Sequence, residues 1–182
     1  MSGIVGSRFN MRGSGLVGSL GTDGQVFTSS GAGAGAVFEA AAAGGKIGQV
    51  LSATKTDYFA TVSTTLVDVT DVLVSITPAA TSSKIWINIS GTIGTDPTGN
   101  AYITIARDGS ALISNIVDSQ HSSTSYDYFF SVSYLDSPSS VSSLDYTLQT
   151  KKDNGTTTIN SRSGTPSDDR GQTTITVMEV LA

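Results

Sequence analysis

From Ile47 onward the sequence alternates. Ile85, Ile87, Ile89 and Ile93 share one parity, while Lys84, Trp86, Asn88, Ser90 and Thr92 fill the other. Tyr126, Tyr128, Phe130, Val132 and Tyr134 alternate with Asp127, Phe129, Ser131, Ser133 and Leu135, and Leu144, Tyr146 and Leu148 alternate with Asp145, Thr147 and Gln149. A side-chain period of two over runs of this length belongs to half-buried antiparallel strands. Turn-forming clusters punctuate the runs at Thr77-Pro78, residues 95–100, Asp108-Gly109, Asp136-Ser137-Pro138 and Asp153-Asn154-Gly155, with Asp108-Gly109 and Asn154-Gly155 the sharpest hairpin signals. Strands are predicted near residues 49–59, 64–76, 84–93, 101–107, 110–117, 126–135, 143–151, 156–162 and 172–181. Such spacing, with no long amphipathic helical stretch, predicts an all-β fold, an antiparallel jelly-roll sandwich.

The first 46 residues obey a different rule. Thirteen of the 20 glycines fall within residues 1–48, and residues 31–45 are dominated by Gly and Ala. Ordering a Gly backbone costs more entropy than ordering any other residue, so this stretch cannot supply an independent core. We expect two parts: residues 1–46 as an extended anchoring arm and Gly/Ala-rich linker, and residues 47–182 as a β-sandwich head. The arm carries Arg8, Arg12 and Lys46 against Asp23 and Glu39, whereas the rest of the chain is acidic. Its sparse apolar side chains need a partner on which to order. Ile4, Val5, Phe9 and Met11, with Arg8 and Arg12 beside them, are the candidate anchoring residues.

Composition removes several chemistries. Without cysteine there is no disulfide framework, thiolate metal site or Cys nucleophile, and one histidine rules out a multi-imidazole zinc site in a single chain. Ten Lys and Arg scattered among 15 Asp and Glu make a poor nucleic-acid surface. No apolar run approaches the roughly 18–20 residues of a membrane-spanning helix, and the N-terminal residues lack the basic-then-apolar order of a cleavable leader. Gly13-Ser14-Gly15-Leu16-Val17-Gly18 has dinucleotide-fingerprint spacing, but Gly21 and Gly24 follow too closely for the helix that motif requires. His121 sits among serines and threonines with no Gly-x-Ser-x-Gly elbow anywhere in the chain. Asp168 and Asp169, like most of the 13 aspartates, read as turn residues. The expectation is therefore no catalytic residue, no cofactor and no metal. The sequons at Asn88 and Asn154 read as chance matches in a chain without a leader. Trp86 is more informative, because it makes its strand apolar on both faces. Either a loop crosses that strand or another subunit covers it.

Several stretches resemble the C-terminal domains of tailed-bacteriophage fibre proteins. Gly48-Gln49-Val50-Leu51-Ser52-Ala53-Thr54-Lys55-Thr56 and the run from Ser75 to Ile85 resemble the opening of such domains. Phe130-Ser131-Val132-Ser133-Tyr134-Leu135-Asp136-Ser137-Pro138 is similar to their central strand and turn, and Val177-Met178-Glu179-Val180 to their last strand. Upstream, residues 21–33 resemble a Gly-rich element that often precedes them. The resemblance implies a homotrimeric jelly roll, built like tumour-necrosis-factor and complement-type heads, displayed on a virion and without catalytic residues.

Together these readings predict a non-enzymatic structural protein of a bacteriophage virion surface, assembled in the host cytoplasm. It would be a trimeric short fibre or appendage whose arm binds other virion proteins and whose head attaches to a host glycan or protein. The alternatives are a capsid decoration (cement) protein and, further off, a polysaccharide-cleaving enzyme or a free carbohydrate-binding module. Trp86, Tyr102, Tyr126, Tyr128, Phe130 and Tyr134, all even-numbered, are the candidate trimer-interface residues, though some of the last four will be intrachain core, since periodicity gives parity but not which face is which.

Overall fold

The computed structural model describes residues 22, 25–28, 37–40, 46–97, 99–118, 126–161 and 171–181. Two compact units divide the chain, Met1–Gly45 and Lys46–Ala182.

In the first unit, β1 (Gln25–Thr28) pairs antiparallel with β2 (Val37–Ala40). Phe27 lies opposite Phe38, with ring centroids 5.0 Å apart. The sequence reading anticipated no self-pairing here; four residues on each side with one aromatic pair suffice to register the chain on itself. Val26, Phe27 and Val37 nonetheless stay exposed, and a two-stranded ribbon of this kind is marginal alone in water.

The second unit holds β3 (Ile47–Lys55), β4 (Phe59–Thr61), β5 (Val67–Ile76), β6 (Lys84–Thr95), β7 (Ala101–Arg107), β8 (Ser110–Asp118), β9 (Tyr126–Asp136), β10 (Leu144–Lys152), β11 (Thr157–Ile159) and β12 (Thr173–Val180). One sheet runs β5-β10-β7-β8; the other runs β3-β12-β6-β11-β4, with β9 also on β6. Since β9 pairs β6 along Ile85–Thr95, β12 and β11 share its opposite edge in tandem, β12 against Lys84–Ser90 and β11 against Ile93–Thr95. Numbering the eight longest strands in chain order, the sheets read 1-8-3-6 and 2-7-4-5. That order is a jelly roll. The fold is all-β and antiparallel, as the alternation predicts.

The β7–β8 hairpin turns on Asp108 (φ 48°) and Gly109 (φ 76°) between the paired residues Arg107 and Ser110. Two consecutive positive φ values give the type I′ geometry whose twist suits a two-residue hairpin. The predicted strand over residues 49–59 is instead two: β3 ends at Lys55 and β4 begins at Phe59. A buried cation interrupts it. The Lys55 ammonium is withdrawn from solvent and meets Asp57 at 2.8 Å and Asp71 at 3.7 Å. The hydrogen bond from Lys55 holds the Asp57 carboxyl below the usual aspartate range.

Between the sheets, Ile85, Ile87 and Ile89 meet Val72, Ile105 and Leu148, all fully buried. Each such side chain contributes about 1.5–3 kcal/mol relative to exposure. Polar groups close the ends of this core. Asn160 (φ 65°) is fully buried; its amide donates to the carbonyls of Lys55 (2.9 Å) and Asp57 (3.0 Å), and its oxygen accepts from Thr173 (2.7 Å). A Cβ at Gly91 would collide with Thr173, so only glycine lets β6 pass the start of β12. The buried Lys152 ammonium donates to the Asp96 carbonyl (3.0 Å) and lies 3.2 Å from its carboxylate. Where the unit's first and last strands lie side by side, the Leu181 amide donates to the Lys46 carbonyl at 2.7 Å.

Glu179 pins the β5–β6 connection, accepting from the Ala79 amide (2.6 Å) and the Gln49 side chain (2.8 Å). Burial opposes its charge, but these donors outweigh that and hold its carboxyl below the ordinary glutamate value. A depressed folded-state value contributes stability that is complete above the unfolded value, about 4.3, and is lost as pH falls through the lower folded value. Urea midpoints of the intact protein should accordingly fall between roughly pH 5 and 3, and Glu179→Gln should make that acid limb shallower. An unchanged acid limb in the variant would remove Glu179 from the account.

Candidate functional site

The register sorts the expected interface residues onto different faces. Because β6 and β9 pair as Ile87↔Tyr134, Gly91↔Phe130 and Ile93↔Tyr128, the even-numbered residues of β9 share the inner face with the odd-numbered isoleucines of β6. Phe130 belongs to the core, and Tyr128 and Tyr134 pack against it. These three are intrachain packing residues rather than a surface shared with Trp86, the alternative that parity alone leaves open. Tyr102 faces outward from the other sheet and is already engaged: the Lys151 ammonium lies 4.5 Å from its ring centroid, and its hydroxyl donates to Asp153 at 3.1 Å. Tyr126 begins β9, and its side chain lies outside the described part of the structure. Ile4, Val5, Arg8, Phe9, Met11 and Arg12 lie outside the described residues, as do residues 13–18, His121, Asp168 and Asp169.

Trp86 lies on the outer face of the β3-β12-β6-β9 layer in an apolar row. In register across four strands stand Val50, Met178, Trp86 and Leu135. Val50 is 56% exposed, Leu135 is 47% exposed, and Trp86 and Met178 are half-buried. Two polar rows follow: Ser52, Thr176, Asn88 and Ser133, then Thr54, Thr174, Ser90 and Ser131. They are knitted internally. Asn88 donates to Ser133 (2.8 Å) and Ser131 (3.3 Å), so its sequon amide is occupied, and the hydroxyls of Thr54 and Thr174 lie 2.9 Å apart.

Beyond these rows the same face opens into a groove of about 490 Å³ lined by Ser90, Thr92, Phe129, Gly171, Gln172 and Thr174 among others. Phe129 stands at its lip, 91% exposed, directly opposite Thr92. A second recess of about 230 Å³, lined by Asp127, Tyr128 and Ser161, shares Thr92 and Phe129 with the first. Thr92 is only 8% exposed, and its hydroxyl, shut off from solvent, has no hydrogen-bond partner among the described residues. Parity could have flagged Phe129 only through its setting: it adjoins Phe130, and two successive large apolar residues cannot both face one core.

At the opposite end of β9, Asp136 joins the two sheets. It accepts from Arg107 (2.6 Å), the Tyr146 hydroxyl (2.7 Å) and the Ser137 amide (2.8 Å). Burial works against the Arg107 charge, but Asp136 outweighs it and holds the guanidinium above its ordinary value. Burial first, and then the bond to Asp136, push the Tyr146 phenol well above its usual range. Each donor here already has a carboxylate partner, so the arrangement ties strands together. Among the described residues, no group of three or more His, Asp or Glu is placed to hold a metal ion.

No family model and no curated protein matches the chain. Among solved structures it is similar to a chain of the T13 IBDV viral particle, at a TM-score of 0.36 and 10% identity, covering 91% of this chain and 40% of that one. It is also similar to a chain of infectious bursal disease virus Gt strain, at 0.36 and 11% identity, covering 91% and 43%. The chain therefore spans less than half the length of the chains it matches.

Proposed function

We propose that this chain is a non-enzymatic structural protein of a bacteriophage virion surface, a homotrimeric short fibre or appendage. Residues 1–46 attach it to other virion proteins, and the jelly-roll head meets the host. The observation that carries this reading is the apolar row Val50, Met178, Trp86 and Leu135, lying across an outer sheet face that a lone sandwich would present to water. A closed threefold assembly joins one face of a protomer to a different face of the next, so one such row per chain is enough. The exposed Val26, Phe27 and Val37 of the β1–β2 ribbon support a docking role for the N-terminal unit in the same way. The stretches that resemble phage fibre domains fall on β3, the β5–β6 connection, β9 and β12.

Two readouts test the proposal. In solution the protein should have three times the 18.6 kDa mass of one chain by light scattering at micromolar concentration, and Trp86→Ser should shift it toward monomer. Gradient-purified particles from cells making only the full-length chain should carry it, whereas particles from cells making only a chain lacking residues 2–30 should not. A monomeric mass for the unaltered protein, or equal incorporation of both chains, would overturn the reading. Particle images that place the chain on the shell rather than the tail would select the capsid-decoration form of it.

A further inference from the structure

We infer that the Phe129 groove is a saccharide-binding site, suited to a neutral pyranose unit of a surface glycan. This gives chemical content to the attachment role proposed above and rests on that reading for its biological meaning. Three observations converge.

The first is Phe129. A phenylalanine at 91% exposure, on a strand whose neighbour Phe130 is buried, gains nothing from packing within the protomer. What it offers is a flat apolar ring, and the axial C–H face of a pyranose is the complementary surface. The second is the character of the wall. Ser90, Thr174 and Gln172 bring uncharged donors and acceptors, and the single charge among the described lining residues of the two recesses is Asp127. A ligand rich in hydroxyls and free of negative charge matches that wall; a phosphate or an acidic peptide does not.

The third is size: about 490 Å³ lies within the roughly 300–1,000 Å³ typical of small-molecule sites and accommodates one or two sugar rings.

Screening the full chain on an array of neutral and acidic glycans, with the positives titrated by NMR, tests this directly. Neutral glycans should bind saturably and shift the signals of Ser90, Thr92, Phe129 and Thr174. Phe129→Ala should weaken that binding about tenfold, on the scale of one lost aromatic contact, and Phe129→Trp should restore it. No binding to any neutral glycan, binding confined to acidic ones, or binding indifferent to Phe129→Ala would overturn the assignment. If Phe129→Ala instead dissolves the trimer, the groove is an interface between copies; the saccharide site then fails while the virion role stands.

Discussion

Replacing Asn160 with alanine should cost about 4 kcal/mol, most of what a domain of this size has to spare. The side chain is fully buried and ties three segments together: its amide donates to the carbonyls of Lys55 and Asp57, and its oxygen accepts from the Thr173 hydroxyl. Truncation leaves the Lys55 carbonyl and the Thr173 hydroxyl buried and unmatched and the Asp57 carbonyl without its donor, and each unmatched buried group costs about 1–3 kcal/mol. Alanine must also adopt φ 65°, a conformation that asparagine tolerates better than other side chains with a Cβ. Asn160→Gly separates the two effects. It relieves the backbone term, of order 1 kcal/mol, without restoring any bond, so it should recover only that part of the loss in urea titrations. If alanine costs less than about 1 kcal/mol, the three bonds do not hold this end of the sandwich together.

The second large effect belongs to Asp136→Ala, at about 3–5 kcal/mol. The loss comes less from the pairing itself than from what remains: a partly buried guanidinium and a fully buried phenol with no acceptor. Tyr146→Phe removes only a donor and should cost nearer 1 kcal/mol. Asp136→Asn, which keeps an acceptor but loses the charge, should fall between them. Equal losses for Asp136→Ala and Tyr146→Phe, measured by the same denaturation, would show that the Arg107 pairing contributes nothing.

How much of this was legible beforehand depends on what alternation encodes. Strand positions follow from it closely: β7 spans the predicted 101–107, and Asp108-Gly109 makes the hairpin its dipeptide announces. Which strands face one another is written elsewhere. Trp86 and Phe130 share an even number, yet Ile87 lies opposite Tyr134, so even positions of β6 meet odd positions of β9. A shift of one residue reverses every assignment of inside and outside, and that register comes from the crossover connections, which carry no periodic signal. The polar ends of the core were hidden for a related reason. Lys55, Lys152 and Glu179 look like solvent positions until tertiary partners in distant strands are in place. Thr92 belongs to this group, for nothing in its neighbours announces a hydroxyl left without a partner.

The hydrogen bond between Lys46 and Leu181 means that the sandwich begins and ends at one place. In covalent terms it is nearly a closed loop. A short splice across that point would close it at little entropic expense, and the loop could be cut open instead at the exposed Asp108-Gly109 turn. The order in which the strands are threaded is then a convention of where the chain is cut. The same neighbourhood sets the path of pull: tension applied between residues 46 and 181 acts across the β3–β12 seam, peeling one ladder bond at a time rather than shearing the whole seam at once. Tension entering through Lys46 and leaving through the far outer face would cross both sheets, where the Ile85–Ile89 core and the Asp136 tie resist it together.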